Sequence, residues 1–276
     1  MDDDRKLNEE LVNKQKTLPN GMTIISINEY ETKYLYEEIF NKEIYLKSGI
    51  EINNKSVILD VGANIGFFSL WVQNKFPGAT IFAFEPIPDT FKVLKLNMAG
   101  YAEWVKVYNI GLSDKVGELD FIFYPHYSVL SGYCTNDVQD SQFLKAAFDN
   151  SKKGGLKEGP VLENLIDNYI NEEFLSHKKQ YRCPVTTISS FFHDHDISSV
   201  DLLKLDVENA EEDVLKGILD QDWVKIKQIV LESHNLMGDR TDRITKLLHT
   251  KGFRTTIEEI KPLQGSGALN IYAIRK

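Results

Sequence analysis

The chain carries its most informative sequence between positions 57 and 71, which read Val57-Ile58-Leu59-Asp60-Val61-Gly62-Ala63-Asn64-Ile65-Gly66-Phe67-Phe68-Ser69-Leu70-Trp71. Apolar residues run into Asp60 and two glycines, and apolar positions then return at helical spacing, so the pattern predicts a strand, a tight turn and a helix. We expect Gly62 to let a ligand approach the backbone and Gly66 to let the helix pack on its strand, because neither residue carries a Cβ atom. This arrangement is typical of nucleotide-binding folds.

A second apolar strand, predicted over residues 79–84, ends in Glu85, nineteen residues beyond Gly66. A carboxylate at the end of that strand can accept hydrogen bonds from both hydroxyl groups of a ribose. The two elements together predict a ligand that contains adenosine.

The turn itself favours one kind of adenosine ligand. A dinucleotide turn needs a second glycine so that backbone amides can hold a pyrophosphate, and here Asn64 stands in that position. No Lys or Arg lies between Val57 and Gln73 to meet phosphate charge, and Asp60 offers an acceptor suited to a cationic, amine-bearing ligand. These features favour S-adenosylmethionine over NAD, with a dinucleotide site and an ordinary strand-to-helix turn as the alternatives.

Composition limits the class of protein. With 276 residues, 42% hydrophobic and 26% charged, the chain suits one globular domain with additions. The net charge of −9 argues against nucleic acid or an anionic membrane as the main partner. Cys134 and Cys183 follow no metal-binding spacing, so we expect reduced thiols in a cytoplasmic protein. The sequence shows no signal peptide and no apolar run of about 18 residues, the length of a membrane span.

The order of predicted elements indicates an α/β three-layer sandwich, with alternating strands and helices and a closing antiparallel pair. We predict an N-terminal cap over residues 1–50, whose amphipathic pattern at 29–40 carries tyrosines that either close over a ligand or pack in the core. The core follows over residues 51–276. Within it, residues 134–180 are polar and rich in Lys and Asn, and we interpret them as an α-helical substrate lid.

Several local features are predicted within the core. Asp89 is a plausible N-cap of the helix that follows Glu85. Strands are expected at 105–110 and 119–124, and residues 182–187 are expected to return to the sheet. Since the carboxyl ends of parallel strands converge on one crevice, Ile110 and Leu112 are candidates to sandwich an adenine.

Methyl transfer to a hydroxyl requires a base, and His234 is the candidate because it ends a predicted central strand. A carboxylate bonded to one imidazole nitrogen would fix the tautomer and leave the other nitrogen to take the proton. Glu208, just past the neighbouring strand, is the favoured partner, and Glu232, two residues before His234, is the alternative. The alternative is that His234 has no catalytic role and is a histidine at the end of a strand, hydrogen-bonded to the backbone. Together with Asp206, these side chains would also suit Mg²⁺ or Mn²⁺, but a metal needs further ligands, and we predict no metal.

At this point the motifs resemble a known family, the FkbM family of S-adenosylmethionine-dependent O-methyltransferases. The resemblance covers residues 57–235 and is carried by residues 57–66, Phe84-Glu85-Pro86, Gly111-Leu112-Ser113-Asp114 and Leu203-Lys204-Leu205-Asp206-Val207-Glu208-Asn209-Ala210-Glu211. It implies a class I, Rossmann-like methyltransferase fold. Asn209 stands where the family usually has glycine, and we expect the turn to survive because Asn tolerates the left-handed conformation.

A narrower likeness points to O-methyltransferase domains within modular polyketide and mixed polyketide/peptide synthases. It is carried by Leu18-Pro19-Asn20-Gly21, by Glu31-Thr32, Leu35-Tyr36 and Glu38-Ile39-Phe40, by Phe76-Pro77-Gly78-Ala79, and by Tyr124-Pro125 with Ser128-Val129-Leu130-Ser131-Gly132. The likeness implies a β-hydroxyl or enol acceptor on an acyl chain held by the phosphopantetheine arm of an acyl carrier protein. It also implies metal-independent chemistry by His234 and Glu208, and one domain of a larger synthase.

The function predicted from the sequence is therefore O-methylation by S-adenosylmethionine. A stand-alone FkbM-type methyltransferase of sugars or small molecules is the alternative, followed by an NAD-dependent oxidoreductase and by a non-enzymatic scaffold. The catalytic residues predicted are His234 and Glu208. The residues predicted to bind the cofactor are Asp60, Gly62, Ala63, Asn64, Gly66, Glu85, Pro86, Ile110, Gly111, Leu112 and Asp206.

Overall fold

The structure is a computed structural model that describes residues 14–27, 29–125, 128–133, 178–234, 239–260 and 268–276. The side chains of Tyr30, Leu130 and His234 lie outside this description. The predicted lid at 134–180 also lies outside it, apart from its last three residues.

The elements follow one another in the alternating order that the sequence predicts. In chain order they are β1 (Gln15–Thr17), β2 (Thr23–Ile25), α1 (Glu29–Leu35), a π-helical turn (Tyr36–Asn41), a 3-10 turn (Ile44–Leu46), β3 (Val57–Val61), α2 (Phe67–Lys75), β4 (Thr80–Phe84), α3 (Pro88–Asn97), a 3-10 turn (Ala99–Tyr101), β5 (Val105–Tyr108), β6 (Gly111–Leu112), β7 (Gly117–Phe123), a 3-10 turn (Ser128–Leu130), β8 (Lys179–Thr186), α4 (Ile188–Asp194), β9 (Leu202–Leu205), α5 (Glu211–Lys216), a 3-10 turn (Asp220–Lys225), β10 (Gln228–His234), α6 (Arg240–Thr250), β11 (Phe253–Glu259) and β12 (Ala268–Arg275).

The central sheet has seven strands within the described residues, in the order β11-β12-β10-β9-β3-β4-β5. Strands β10, β9, β3, β4 and β5 run parallel, and β12 is antiparallel to both β10 and β11. The chain leaves β3 toward β4 and β5 and later returns on the other side through β9. The carboxyl ends of β3 and β9 therefore flank a topological switch point, where sheets of this kind bind ligands.

Both faces of this sheet are buried, which agrees with its mostly apolar parallel strands. Ile58 and Leu202 belong to one hydrophobic core, and Leu59 and Leu203 belong to a second core on the opposite face. Alternate residues of one strand point to opposite faces, so the two cores lie on either side of the sheet. The α/β three-layer sandwich predicted from the sequence is confirmed.

The strands near 119–124 and 182–187 are not part of the central sheet, although the sequence had suggested that residues 182–187 return to it. Strand β8 pairs along β7 in antiparallel register and beside β6 in parallel register, which makes a separate three-stranded sheet. This small sheet has its own apolar core, formed with the residue that precedes α3: Ile87, Phe121, Phe123, Cys183 and Val185. Its burial against the start of α3 accounts for the correction.

Two local predictions also change. The helix expected over residues 29–40 is α-helical only to Leu35 and then widens into a π-helical turn. Asp89 is not an N-cap, because Ile87 holds that position and α3 begins at Pro88. The Asp89 carboxylate instead accepts hydrogen bonds from Lys179 and Tyr181 of β8, at 2.8 and 2.9 Å. It therefore ties the small sheet to α3.

Among the described residues, no helix is both long enough and apolar enough to cross a membrane.

Candidate functional site

A cleft opens at the carboxyl ends of β3, β4 and β9 and holds about 910 Å³, the solvent at its mouth included. The N-terminal segment, the glycine turn after β3, the small sheet and the 128–133 segment all contribute to its wall. Among the predicted site residues, those that line it are Gly62, Ala63, Asn64, Glu85, Pro86, Gly111, Leu112, Asp206 and Glu208.

The two glycines of the turn lie too close to neighbouring protein atoms to carry a side chain. Gly62 has φ +75°, and a Cβ placed there would lie 1.7 Å from the backbone oxygen of Asp206. Gly66 has φ +95°, and its Cβ would lie 2.9 Å from Leu94 of α3. Gly66 therefore does not line the cleft, and it permits packing of α2 on α3 where the sequence had suggested packing on the strand. Gly62 lets β3 and β9 end side by side.

Asp60 is completely buried and does not line the cleft. Its carboxylate accepts a hydrogen bond from Ser69 Oγ at 2.7 Å, and its Oδ1 lies 3.2 Å from Lys204 Nζ. The predicted contact between Asp60 and a cationic ligand is therefore corrected, because Lys204 already supplies the positive charge that this carboxylate needs. Asp60 and Lys204 meet because both follow the face of the sheet shared by Ile58 and Leu202.

Lys204 joins three parts of the site. Its Nζ donates to the backbone oxygen of Gly62 at 2.8 Å and lies 3.6 Å from Asp206 Oδ2. Burial alone would lower the pKa of Lys204, but the attraction of Asp60, followed by that of Asp206, outweighs burial and raises the pKa. The ammonium is therefore charged and committed to the protein. It cannot serve as a free partner for a phosphate.

Asp206, unlike Asp60, has a carboxylate in the wall of the cleft. Its side chain is 25% exposed and lines the cleft. The hydroxyl of Tyr45 donates to Asp206 Oδ2 at 3.2 Å. Burial, followed by the charge of Asp206, raises the pKa of Tyr45 well above its ordinary value, so this phenol remains a donor.

Glu85 lies at the end of β4, as the sequence predicted. The backbone N–H of Asn64 donates to its Oε2 at 3.1 Å and that of Ile87 to its Oε1 at 2.9 Å. Each carboxylate oxygen has a second acceptor position, which leaves capacity for the two hydroxyl groups of a ribose. Burial raises the pKa of Glu85 to about 7, against the two N–H groups that lower it.

The predicted adenine residues separate in the structure. Gly111 and Leu112 form β6 and line the cleft, beside Phe121 of the small sheet. Ile110 does not line it and packs on the hydrophobic core that contains Phe191. Residues 110 and 112 thus do not act as a pair around one ring. The apolar wall near Leu112 is completed by Phe121 instead.

The predicted catalytic pair is described only in part. Glu208 lines the cleft with φ +48°, and Asn209 has φ +73°, so the left-handed turn expected there is confirmed. His234 is the last residue of β10, and its side chain lies outside the described residues. Parallel pairing places Leu231 beside Leu205, so His234 and Glu208 both lie three residues past one register position. The choice between Glu208 and Glu232 as partner stays a prediction.

The carboxylates near His234 also suggested a metal site as an alternative. Among the side chains that the structure describes, no three His, Cys, Asp or Glu are arranged to hold a metal ion.

Sequence reasoning missed four residues that build the site: Glu31, Tyr45, Ser128 and Lys204. A signal existed for Lys204, since a lone lysine inside the apolar run Leu202-Leu203-Lys204-Leu205 must find a buried partner. Glu31 and Ser128 gave no such signal, because each lies far along the chain from the residues it contacts.

Comparison with known proteins identifies the chain. The family described as the methyltransferase FkbM domain matches residues 60–255. This chain belongs to the FkbM methyltransferase family. The resemblance inferred from the motifs is confirmed.

Two curated relatives differ greatly in length. The chain is 35% identical to the AMB antimetabolite synthetase AmbE of Pseudomonas aeruginosa over 94% of its own length, but it spans only 12% of AmbE. It is 32% identical to the 31-O-demethyl-FK506 methyltransferase FkbM of Streptomyces tacrolimicus, over 94% of this chain and 95% of that protein. The crystal structure of methyltransferase FkbM from Methylobacillus flagellatus KT has a TM-score of 0.51 at 14% identity, covering 83% of this chain and 46% of that one. That likeness supports the fold.

As an FkbM-family member, the chain is an S-adenosylmethionine-dependent methyltransferase, and its cleft fits that cofactor. Three described lining residues, Glu85, Asp206 and Glu208, carry carboxylates, while the ammonium of Lys204 is already paired. Such a lining attracts a ligand with a positively charged sulfur and repels a pyrophosphate. When bound, S-adenosylmethionine supplies an electrophilic methyl group.

Proposed function

We propose that this chain methylates a hydroxyl oxygen of an acyl intermediate held on the phosphopantetheine arm of a carrier protein. The observation that carries this proposal is the alignment with AmbE, in which nearly the whole chain corresponds to a small part of a much longer synthetase. A methyltransferase built into a synthetase receives its substrate most directly from a neighbouring carrier protein, since tethering raises the local substrate concentration. The chain would then be one domain of a synthase, with residues 51–276 as its methyltransferase core and 1–50 as a cap.

His234 and Glu208 are the proposed general-base pair. The imidazole takes the proton of the acceptor hydroxyl while the oxygen forms its bond to the methyl carbon, and the electrons of the broken carbon–sulfur bond stay on sulfur. Glu208 holds the tautomer and stabilises the imidazolium. The support is their shared register, three residues past the paired Leu231 and Leu205, and the position of Glu208 in the cleft wall.

The mass of a loaded carrier protein tests the proposal. Carrier protein bearing a β-hydroxyacyl group is incubated with the chain and S-adenosylmethionine, and intact mass is measured. We expect the gain of one CH₂ group, at a rate lowered by about 10²- to 10⁴-fold in His234→Ala. Carrier protein bearing the same acyl chain without its hydroxyl is the control and should gain nothing.

The alignment over almost all of FkbM from S. tacrolimicus favours a second candidate, methylation of a free small molecule such as a demethylated natural product. The same experiment separates the two. If the free acid or a soluble thioester is methylated as efficiently as the carrier-bound form, the carrier is not part of recognition. If neither is methylated while the cofactor binds, the acceptor class is wrong.

We further propose the cytoplasm as the location of the reaction. Cys183 is a free, buried thiol, and reduced cysteines are the rule in that compartment.

A further inference from the structure

We propose that Glu31 is a positioning residue that fastens the N-terminal segment to the cofactor pocket and strengthens cofactor binding through Ser128 and Asn64. The inference rests on the cofactor and its cleft, and it does not depend on the identity of the acceptor.

Glu31, on helix α1, accepts hydrogen bonds from the short segment that begins at Ser128. The hydroxyl of Ser128 donates to Glu31 Oε2 at 2.9 Å, and the backbone N–H of Val129 donates to Glu31 Oε1 at 3.2 Å. Both oxygens of one carboxylate are thus used on residues almost a hundred positions further along the chain. Glu31 is 6% exposed and Ser128 is 3% exposed, so solvent does not compete with these bonds.

Ser128 connects Glu31 to the glycine turn by a further hydrogen bond. The side-chain amide of Asn64 donates to Ser128 Oγ at 3.1 Å, and the backbone N–H of Asn64 donates to Glu85 Oε2 at 3.1 Å. Three hydrogen bonds therefore connect Glu31 to Glu85, the carboxylate that is placed to bind a ribose. Asn64, Ser128 and Glu85 line the cleft, whereas Glu31 does not. Glu31 acts on the pocket through its neighbours.

Asn64 needs such support. It has φ +49°, a left-handed conformation that is costly for a residue other than glycine. Its Oδ1 accepts a hydrogen bond from the N–H of Ile65 at 2.7 Å, while its Nδ2 is taken by Ser128. Both ends of the Asn64 amide are therefore fixed. Because the side-chain amide of Asn64 is fixed, the backbone N–H of the same residue is held in the position from which it bonds Glu85.

The N-terminal segment also supplies part of the pocket wall. Leu35, the last residue of α1, and Ile39 of the π-helical turn both line the cleft. The segment is held on its other side by Asn97, which bonds the backbone of Ile25 and of Ile65. Glu31 is a further attachment, and it lies on the helix that carries Leu35. Without it, Leu35 and Ile39 are held less firmly against the ligand.

Burial of Glu31 costs stability. Burial raises the pKa of its carboxyl to about 7, although the bonds from Ser128 and Val129 lower it. An apolar residue at this position would avoid that cost. A buried carboxylate that is bonded to the wall of a cleft and has a perturbed pKa is characteristic of functional sites.

A double-mutant cycle on the affinity for S-adenosylhomocysteine tests the proposal. Calorimetry is carried out above pH 7 on Glu31→Ala, Ser128→Ala and the double variant, with Glu29→Ala as the control on the exposed side of the same helix. We expect each single variant to bind about tenfold more weakly, the loss of roughly one hydrogen bond to a charged group. The double variant should bind no more weakly than the weaker single one, because both changes break one connection. Glu29→Ala should bind as the parent does.

A purely structural role gives a different result. If Glu31→Ala lowers the free energy of unfolding but leaves S-adenosylhomocysteine affinity unchanged, or if the two losses of affinity multiply, the proposal is wrong. If Glu31→Ala does not fold, Glu31→Gln and Ser128→Ala decide, and unchanged affinity in both overturns it. Glu31→Gln should retain more affinity than Ser128→Ala, since an amide can still bond Val129. An unmodified chain that binds no S-adenosylhomocysteine would instead refute the cofactor assignment.

Discussion

The ammonium of Lys204 lies 3.2 Å from the carboxylate of Asp60, and both side chains are almost entirely buried, at 3% and 0% exposed. The pair crosses between neighbouring strands β9 and β3 directly beneath the cleft. It explains why Asp60, although it lies in the glycine motif, is paired within the protein, whereas the carboxylate of Asp206 lines the cleft.

Replacing Lys204 with Met should lower the free energy of unfolding by about 3–5 kcal/mol, because Asp60 is then a buried charge without a partner. The Asp60→Asn/Lys204→Met double variant should recover part of that loss. Denaturant unfolding measures both. Lys227→Met, which removes an exposed pair with Asp201, is the control and should cost about 1 kcal/mol or less. Equal losses for Lys204→Met and Lys227→Met would show that the buried pair has no special role.

Gly62→Ala should abolish S-adenosylhomocysteine binding and destabilise the fold. The new Cβ would lie 1.7 Å from the backbone oxygen of Asp206, so β3 and β9 must separate at the cleft. Gly100→Ala is the matched control, because a Cβ at that position meets nothing within 4 Å. Calorimetry and thermal unfolding of the two variants check the prediction. Gly62→Ala that binds as the parent does would mean that the two strand ends yield without cost.

The stability of the cofactor-free protein should fall as pH rises from about 4.5 to about 7, and Glu85 contributes to that fall. Its carboxyl has a pKa of about 7 in the folded chain and an ordinary value of 4.5. The folded state therefore holds the proton more tightly than the unfolded state, and this stabilisation is complete below pH 4.5 and lost as pH rises through 7.

Glu85→Gln removes this titration. Its free energy of unfolding should depend less on pH than that of the parent, by up to about 3 kcal/mol across the interval. Urea unfolding at several pH values measures the difference. If Glu85→Gln and the parent give parallel curves, the carboxyl does not hold a proton in the folded state.

His234→Ala should lower kcat by about 10²- to 10⁴-fold, the usual contribution of a general base. Its affinity for S-adenosylhomocysteine should stay unchanged, because the residues predicted to hold the cofactor are those of the glycine turn, Glu85 and Asp206. His249→Ala is the control, since that imidazole is on the surface of α6 and bonds Thr255. Full turnover by His234→Ala would dismiss the base assignment. The same measurement on Glu208→Gln and Glu232→Gln identifies the partner carboxylate.

Local sequence determined the elements of this protein and the place of its cleft. The run from Val57 to Gly66 encodes a strand, a turn and a helix through apolar periodicity and glycine spacing, and Glu85 follows from a second apolar run of the same kind. Such patterns depend on near neighbours along the chain. They are therefore readable without knowing which distant residues come together.

Only the tertiary structure decided which of the two aspartates lines the cleft. Asp60 lies inside β3 and Asp206 directly follows β9. Lys204 of β9 pairs with Asp60 in the buried sheet, whereas Asp206 lies past the strand end and lines the cleft. Glu31 reaches Asn64 only because residues 128–129 fold between them. Contacts of this range depend on how sheets and helices pack, which no local pattern encodes, and the electrostatics of the site depend on those contacts.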